Sequence, residues 1–197
     1  KLIEQVADDH HGTMTSEIHW NDPDGNPVNR EIRTITVSEQ PGLDGWKIDW
    51  HSTLESQFGD ITLAGDRQHA GFQFRADQPV ADANGATFLR PADFPQNSEA
   101  IQVNDKGDPP SHINLGWFAE SFELEGKRYT VEYFDNPNLP KPALFSERPY
   151  GRFGTYFKTE LSESKPLELK YQLIVSEGEK PSVKSIQSRY DAFVSEL

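Results

Sequence analysis

Asp66, His69 and Arg75 fall in one short stretch, Gly65-Asp66-Arg67-Gln68-His69-Ala70-Gly71-Phe72-Gln73-Phe74-Arg75. Their types suit hydroxyl and carboxylate groups: histidine exchanges protons near neutral pH, aspartate orients it or acts as base, and arginine holds an anionic or hydroxyl oxygen. At a strand's period of two, Gly71, Gln73 and Arg75 share the face opposite Phe72 and Phe74, so Arg75 is a better site candidate than Arg67. His69 is the candidate proton carrier and Asp66 its partner or a base. A solvated hairpin corner explains the same residues, and both readings stand.

A second group begins at Tyr133-Phe134-Asp135-Asn136-Pro137 and continues through Phe145 to Gly154. Asp-Asn-Pro-Asn turns tightly without any ligand. Turn formation does not explain Phe145, Tyr150, Phe153, Tyr156 and Phe157, with Arg148 and Arg152 among them. A sugar ring stacks its C–H face on an aromatic ring and gives its hydroxyls directional hydrogen bonds, which such a region can supply. Core packing accounts for some of these rings. The candidate binding residues are Arg75, Asp135, Arg148, Tyr150 and Arg152.

The remaining histidines offer less. His10 and His11 follow two aspartates, yet neighbours on a strand point to opposite faces and the composition is that of a turn. His19 and His51, beside Trp20 and Trp50, read as sheet-face residues. There is no phosphate-binding glycine loop, His-Glu-x-x-His, nucleophile elbow or calcium loop. No metal and no cofactor are expected.

The elements that must position these residues are strands. Period-two alternation marks Thr13–Trp20, Val28–Val37, Trp46–Leu54, Ile61–Ala64, Gly71–Arg75, Ile113–Leu124, Lys127–Phe134, Gly151–Phe157 and Leu167–Val175. The first two are joined by Asn21-Asp22-Pro23-Asp24-Gly25-Asn26-Pro27, a hairpin turn. Val183, Ile186, Tyr190, Phe193, Val194 and Leu197 recur at helical spacing behind Ser182, a suitable N-cap. The expected fold is all-β: an antiparallel β-sandwich with long loops and one C-terminal α-helix. Ala76–Pro110 and Phe134–Tyr150 are rich in proline and resist assignment.

The chain has 197 residues, enough for one domain, 1–197, with a substantial core. Thirty-two acidic against 19 basic residues give a net charge of -13, which opposes binding to nucleic acid or an anionic membrane surface. The absence of cysteine removes disulfides and thiolate chemistry without choosing a compartment. No apolar run approaches the length of a spanning helix. Oligomeric state is not readable from the sequence.

Three blocks carry a resemblance: Trp20-Asn21-Asp22-Pro23-Asp24-Gly25-Asn26-Pro27-Val28-Asn29-Arg30-Glu31, Asp49-Trp50-His51-Ser52-Thr53-Leu54, and Gly65-Asp66 to Gly71-Phe72 with Arg75. In this order they resemble the bacterial family of unknown function labelled "methane oxygenase PmoA". Tyr133 to Pro137 resembles that family's Phe-Asp-His-Pro block, and Glu147 to Gly151 its arginine-containing block. Asn136 stands where the family commonly has histidine, and His69 where it commonly has an acid. His10-His11-Gly12 does not match the family's upstream His-His-Arg-Gly motif, so the chain resembles the later part of the fold, lacking an N-terminal part.

The resemblance implies a β-sandwich and, from the family's occurrence in glycan-degrading bacteria, a carbohydrate-related role. The literal oxygenase label is rejected, because such a subunit is a membrane protein and a spanning run is missing. The leading expectation is a sugar or sugar-derived small molecule bound on an open sheet face, with hydrolase, lyase or epimerase-like chemistry if it is turned over. A non-catalytic binding or assembly module is the alternative, and a metal-dependent oxygenase-related protein the minor one.

Overall fold

The computed structural model describes residues 1–66, 69–94, 96 and 113–197. Arg67 and the later part of the proline-rich Ala76–Pro110 segment lie outside them. An eight-stranded antiparallel sheet runs in the order β1 (Leu2–Ala7), β2 (His11–Asn21), β3 (Pro27–Glu39), β4 (Asp44–Ser56), β13 (Leu167–Glu177), β9 (Lys127–Asp135), β8 (Trp117–Leu124), β7 (Thr87–Leu89). A three-stranded sheet of β10 (Leu144–Arg148), β11 (Arg152–Tyr156) and β6 (Phe72–Arg75) packs against it. A two-stranded ribbon joins β5 (Ile61–Leu63) to β12 (Thr159–Leu161). Among the described residues two helices follow, α1 (Gln78–Ala83) and α2 (Val183–Ser195). The expected all-β sandwich with a C-terminal helix is what the chain forms; α1 is a further short turn of helix in the segment left unassigned.

Alternation decides which side chains meet. Phe72 and Phe74 of β6, Phe145 of β10 and Phe153 of β11 face the large sheet and meet Phe118, Phe122, Tyr133 and Tyr171 there. These rings form the main core, with centroids 5.1 to 6.4 Å apart in tilted or stacked arrangements. On the other face, α2 lays Ile186 and Phe193 over Trp117, Phe134 and Ile174. Ser182 caps α2 by accepting from the Ser185 N–H at 3.1 Å.

The β2–β3 turn forms as its composition predicts. Asp22 accepts from the N–H groups of Asp24 and Asn26, both at 2.9 Å, and Gly25 takes a positive φ of 88°. The start of β8 differs from expectation for a local reason. β8 begins at Trp117 rather than Ile113, because Asn114 adopts a left-handed φ of 59° that interrupts the extended chain. Strands β1, β7, β10 and β12, three to six residues long, are too short or too weakly patterned to be marked in advance.

The small sheet faces the β13, β9 and β8 side of the large one. Toward β2 and β3 the inner face of the large sheet stays partly open, and Met14 and Trp20 of β2 remain exposed. Among the described residues no helix is long and apolar enough to cross a membrane.

Candidate functional site

Antiparallel register sets out the floor of a pocket on that open side. Asn29 of β3 pairs with Trp20, Glu31 with Leu54, and Arg33 with Ser52. Continuing across the sheet, Leu54 pairs with Leu167, Ser52 with Leu169 and Trp50 with Tyr171. Directly paired residues share a face, so these side chains all point the same way. The ribbon, Gly65 and the chain from His69 to Phe72 supply the wall, with Leu63, His69, Phe72 and Phe157 lining the space. Its volume is about 430 Å³.

Two glycines hold this wall in place. Gly71 has a φ of +74°, and a Cβ there would lie 2.1 Å from the Thr155 carbonyl oxygen. Gly65, at +73°, would put a Cβ 2.7 Å from the Tyr156 ring. Both requirements, left-handed backbone and close approach, are met by glycine alone.

Glu31 organises the floor. Its Oε1 accepts from Arg33 Nε at 2.7 Å and Ser52 Oγ at 2.6 Å; its Oε2 accepts from Arg33 Nη2 at 2.9 Å and Trp20 Nε1 at 3.0 Å. Four donors occupy the roughly four lone-pair sites of a carboxylate, so Glu31 has no basic lone pair left for a substrate. Burial pushes its pKa up, but the hydrogen bonds from Arg33, Ser52 and Trp20 outweigh burial and hold it below the ordinary value. Glu31 is therefore an ionised positioning residue. Trp50 Nε1 donates to Ser52 Oγ at 3.0 Å, and the Arg33 guanidinium lies 4.5 Å from the centroid of the Trp50 ring. One carboxylate thus fixes two indoles, a hydroxyl and a guanidinium. Beside it Asn29, 5% exposed, has an Oδ1 with no hydrogen-bond partner among the described residues.

The candidate residues read from the sequence occupy three places. His69 lines the pocket at its exposed rim; its backbone N–H donates to Asp66 Oδ1 at 2.7 Å and its ring Nδ1 lies 3.2 Å from the same oxygen. Arg148, Arg152 and Arg75 stand opposite one another across β10, β11 and β6, on the face of the small sheet turned away from the core phenylalanines. Tyr150 joins them, its ring centroid 5.8 Å from the Arg75 guanidinium, and Arg152 Nη2 donates to Gln73 Oε1 at 2.5 Å. Arg148 Nη1 donates to the Glu147 carbonyl at 2.9 Å. Asp135 is buried at the inner end of β9, accepting from Tyr133 Oη at 2.9 Å and Lys141 Nζ at 2.7 Å. Burial raises its pKa, with Lys141 and Tyr133 working against the rise. The expectation of one surface holding Asp66, His69, Arg75, Asp135, Arg148 and Tyr150 thus separates into a pocket rim, an arginine row and a core carboxylate.

The sequence reading missed Asn29, Glu31, Arg33 and Ser52 as site residues. Their signal was the polar run Asn29, Glu31, Arg33 at a period of two, paired with a strand carrying Trp50, Ser52 and Leu54.

A second buried polar group lies across the core. Glu120 is 0% exposed, with neither carboxyl oxygen hydrogen-bonded among the described residues, and Glu147 pairs with the fully buried Arg90. Burial, with the Glu147 charge adding, pushes Glu120 up to about 8. Burial likewise pushes Glu147 up to about 7 against the opposing effect of Arg90.

With this geometry in view, the whole-chain comparison places the protein. Residues 1–191 match the sequence pattern of a family of unknown function, DUF6807. The chain belongs to that family. The match extends over the pocket strands β2, β3, β4 and β13 and over Gly65 and Gly71. It supports neither the methane-oxygenase label of the resemblance nor the expectation that an N-terminal part is lacking. No curated protein matches the chain.

Proposed function

We propose that this DUF6807 protein binds a sugar or sugar-derived small molecule in the pocket formed by β3, β4, β13, Gly65 and the His69–Phe72 segment. The observation that carries this reading is the Glu31 network. Glu31, Arg33, Ser52 and Trp20 hold one another in a fixed arrangement beside Asn29 Oδ1, an acceptor without a partner among the described residues. Preorganised polar groups next to aromatic rings suit a ring with hydroxyls on its edge and C–H bonds on its face. The volume falls within the roughly 300–1,000 Å³ of small-molecule sites.

The Asp66–His69 pair at the rim supplies the group at which a proton would move in a hydrolase, lyase or epimerase-like reaction. The carbohydrate-related implication of the family resemblance agrees with this pocket; its oxygenase label plays no part in the reading. A glycan array followed by calorimetric titration tests binding, and turnover by wild type and His69→Ala tests the proton role. The reading expects saturable binding of a saccharide. No binding across the array contradicts it, and unchanged turnover in His69→Ala removes His69 from catalysis and leaves a binding module.

A further inference from the structure

The floor of the pocket is polar on one side and apolar on the other. Its β3 strip presents Asn29, Glu31 and Arg33, whereas its β13 strip, with β4 between, presents Leu167, Leu169 and Tyr171. The wall repeats the apolar side, with Leu63, Ala64, Phe72 and Phe157. A bare sugar with hydroxyls around its ring would leave some of them facing these leucines without partners, at the cost of buried unsatisfied polar groups. Charge is balanced as well. Glu31 and Arg33 neutralise each other through two hydrogen bonds.

Resting on the reading of the pocket as a sugar site, we propose that its ligand is a neutral glycoside carrying an apolar aglycone. The sugar lies toward Asn29 and Arg33, and the aglycone lies over Leu167 and Leu169. Asn29 Oδ1 accepts from one sugar hydroxyl. An anionic sugar is disfavoured because Arg33 is already committed to Glu31 and the chain carries a net charge of -13. Selection comes from matching both ends of the ligand to the two sides of one floor.

The experiment is a calorimetric comparison of matched probes on the wild-type chain. Methyl and phenyl glycosides of glucose, galactose, xylose and rhamnose, in both anomers, are titrated beside phenol and the phenyl glucuronides. For the sugar that binds, the phenyl glycoside is expected to bind about tenfold or more tightly than the methyl glycoside, the scale of burying part of a phenyl ring. Phenol alone and the glucuronides are expected to bind at least about tenfold more weakly than that phenyl glycoside. Leu169→Ala is expected to shrink the phenyl-over-methyl affinity ratio about threefold or more. Equal affinity for phenyl and methyl glycosides, or glucuronides binding as well as neutral sugars, overturns the inference and leaves the sugar reading intact. Phenol binding as tightly as the phenyl glycoside also overturns it. Absence of binding by every glycoside overturns both.

Discussion

At the scale of single residues, Glu31 and His69 illustrate two ways a side chain can look functional. His69 has the chemistry of a catalyst but sits exposed, held loosely to Asp66. Glu31 is buried and fully hydrogen-bonded, so its work is to hold Trp20, Arg33 and Ser52 in place. Glu31→Gln keeps the shape and removes the charge, giving Arg33 and Ser52 a poorer acceptor. It is expected to lower stability by about 2 kcal/mol, the scale of a charge-assisted hydrogen bond, and to weaken ligand binding about tenfold or more. Urea unfolding and titration on the same sample check both effects; unchanged binding in the folded variant would remove Glu31 from the site.

At the scale of elements, the strands were largely legible and the site was not. Alternation located β2, β3, β4, β6, β9, β11 and β13, and the parity of Gln73 and Arg75 against Phe72 and Phe74 matches the face each takes. Parity alone does not say which face of β3 turns inward, because Asn29, Glu31 and Arg33 alternate with Arg30, Ile32 and Thr34. Only pairing with β4, which brings Trp50 and Leu54 to the same side, makes the polar strip part of a pocket. The same limit applies to Asp135, whose turn-like sequence gave no sign that Tyr133 and Lys141 enclose it. Gly71 tests how the wall is held. Gly71→Ala introduces a left-handed alanine, a cost of about 1–2 kcal/mol, and a clash with the Thr155 carbonyl that the loop must relieve by moving. Lower thermal stability together with weaker ligand binding is expected; a gain in stability would contradict this account of the loop.

At the scale of the whole molecule, buried carboxyls set the pH dependence of folding. Glu120 and Glu147 titrate at about 8 and about 7 in the fold, above their ordinary value of 4.5. Between 4.5 and those values the folded chain holds protons that the unfolded chain has released. Stability therefore falls as pH rises through that window, by at most about 1.4 kcal/mol per pH unit for each group, and levels off above it. Glu31, Glu17 and Asp22 have lowered values and act in the opposite sense, losing stability as pH falls below the ordinary carboxylate range. Maximum stability is expected in weakly acidic solution. Thermal melts from pH 4 to 9 check this, with Glu120→Gln expected to flatten the alkaline side; an unchanged slope in that variant would assign the dependence to other groups.

The central claim is that the β3–β4 face is a binding site for a hydroxylated ring, and Asn29 tests it most directly. Its buried Oδ1 has no partner among the described residues, so replacing it by leucine removes an unsatisfied polar atom from the fold. A titration of wild type and Asn29→Leu with the saccharide found on the array, alongside their melting temperatures, separates structure from function. The account predicts a variant at least as stable as wild type that has lost about tenfold or more in affinity. An Asn29→Leu protein that binds the saccharide as tightly as wild type would contradict it.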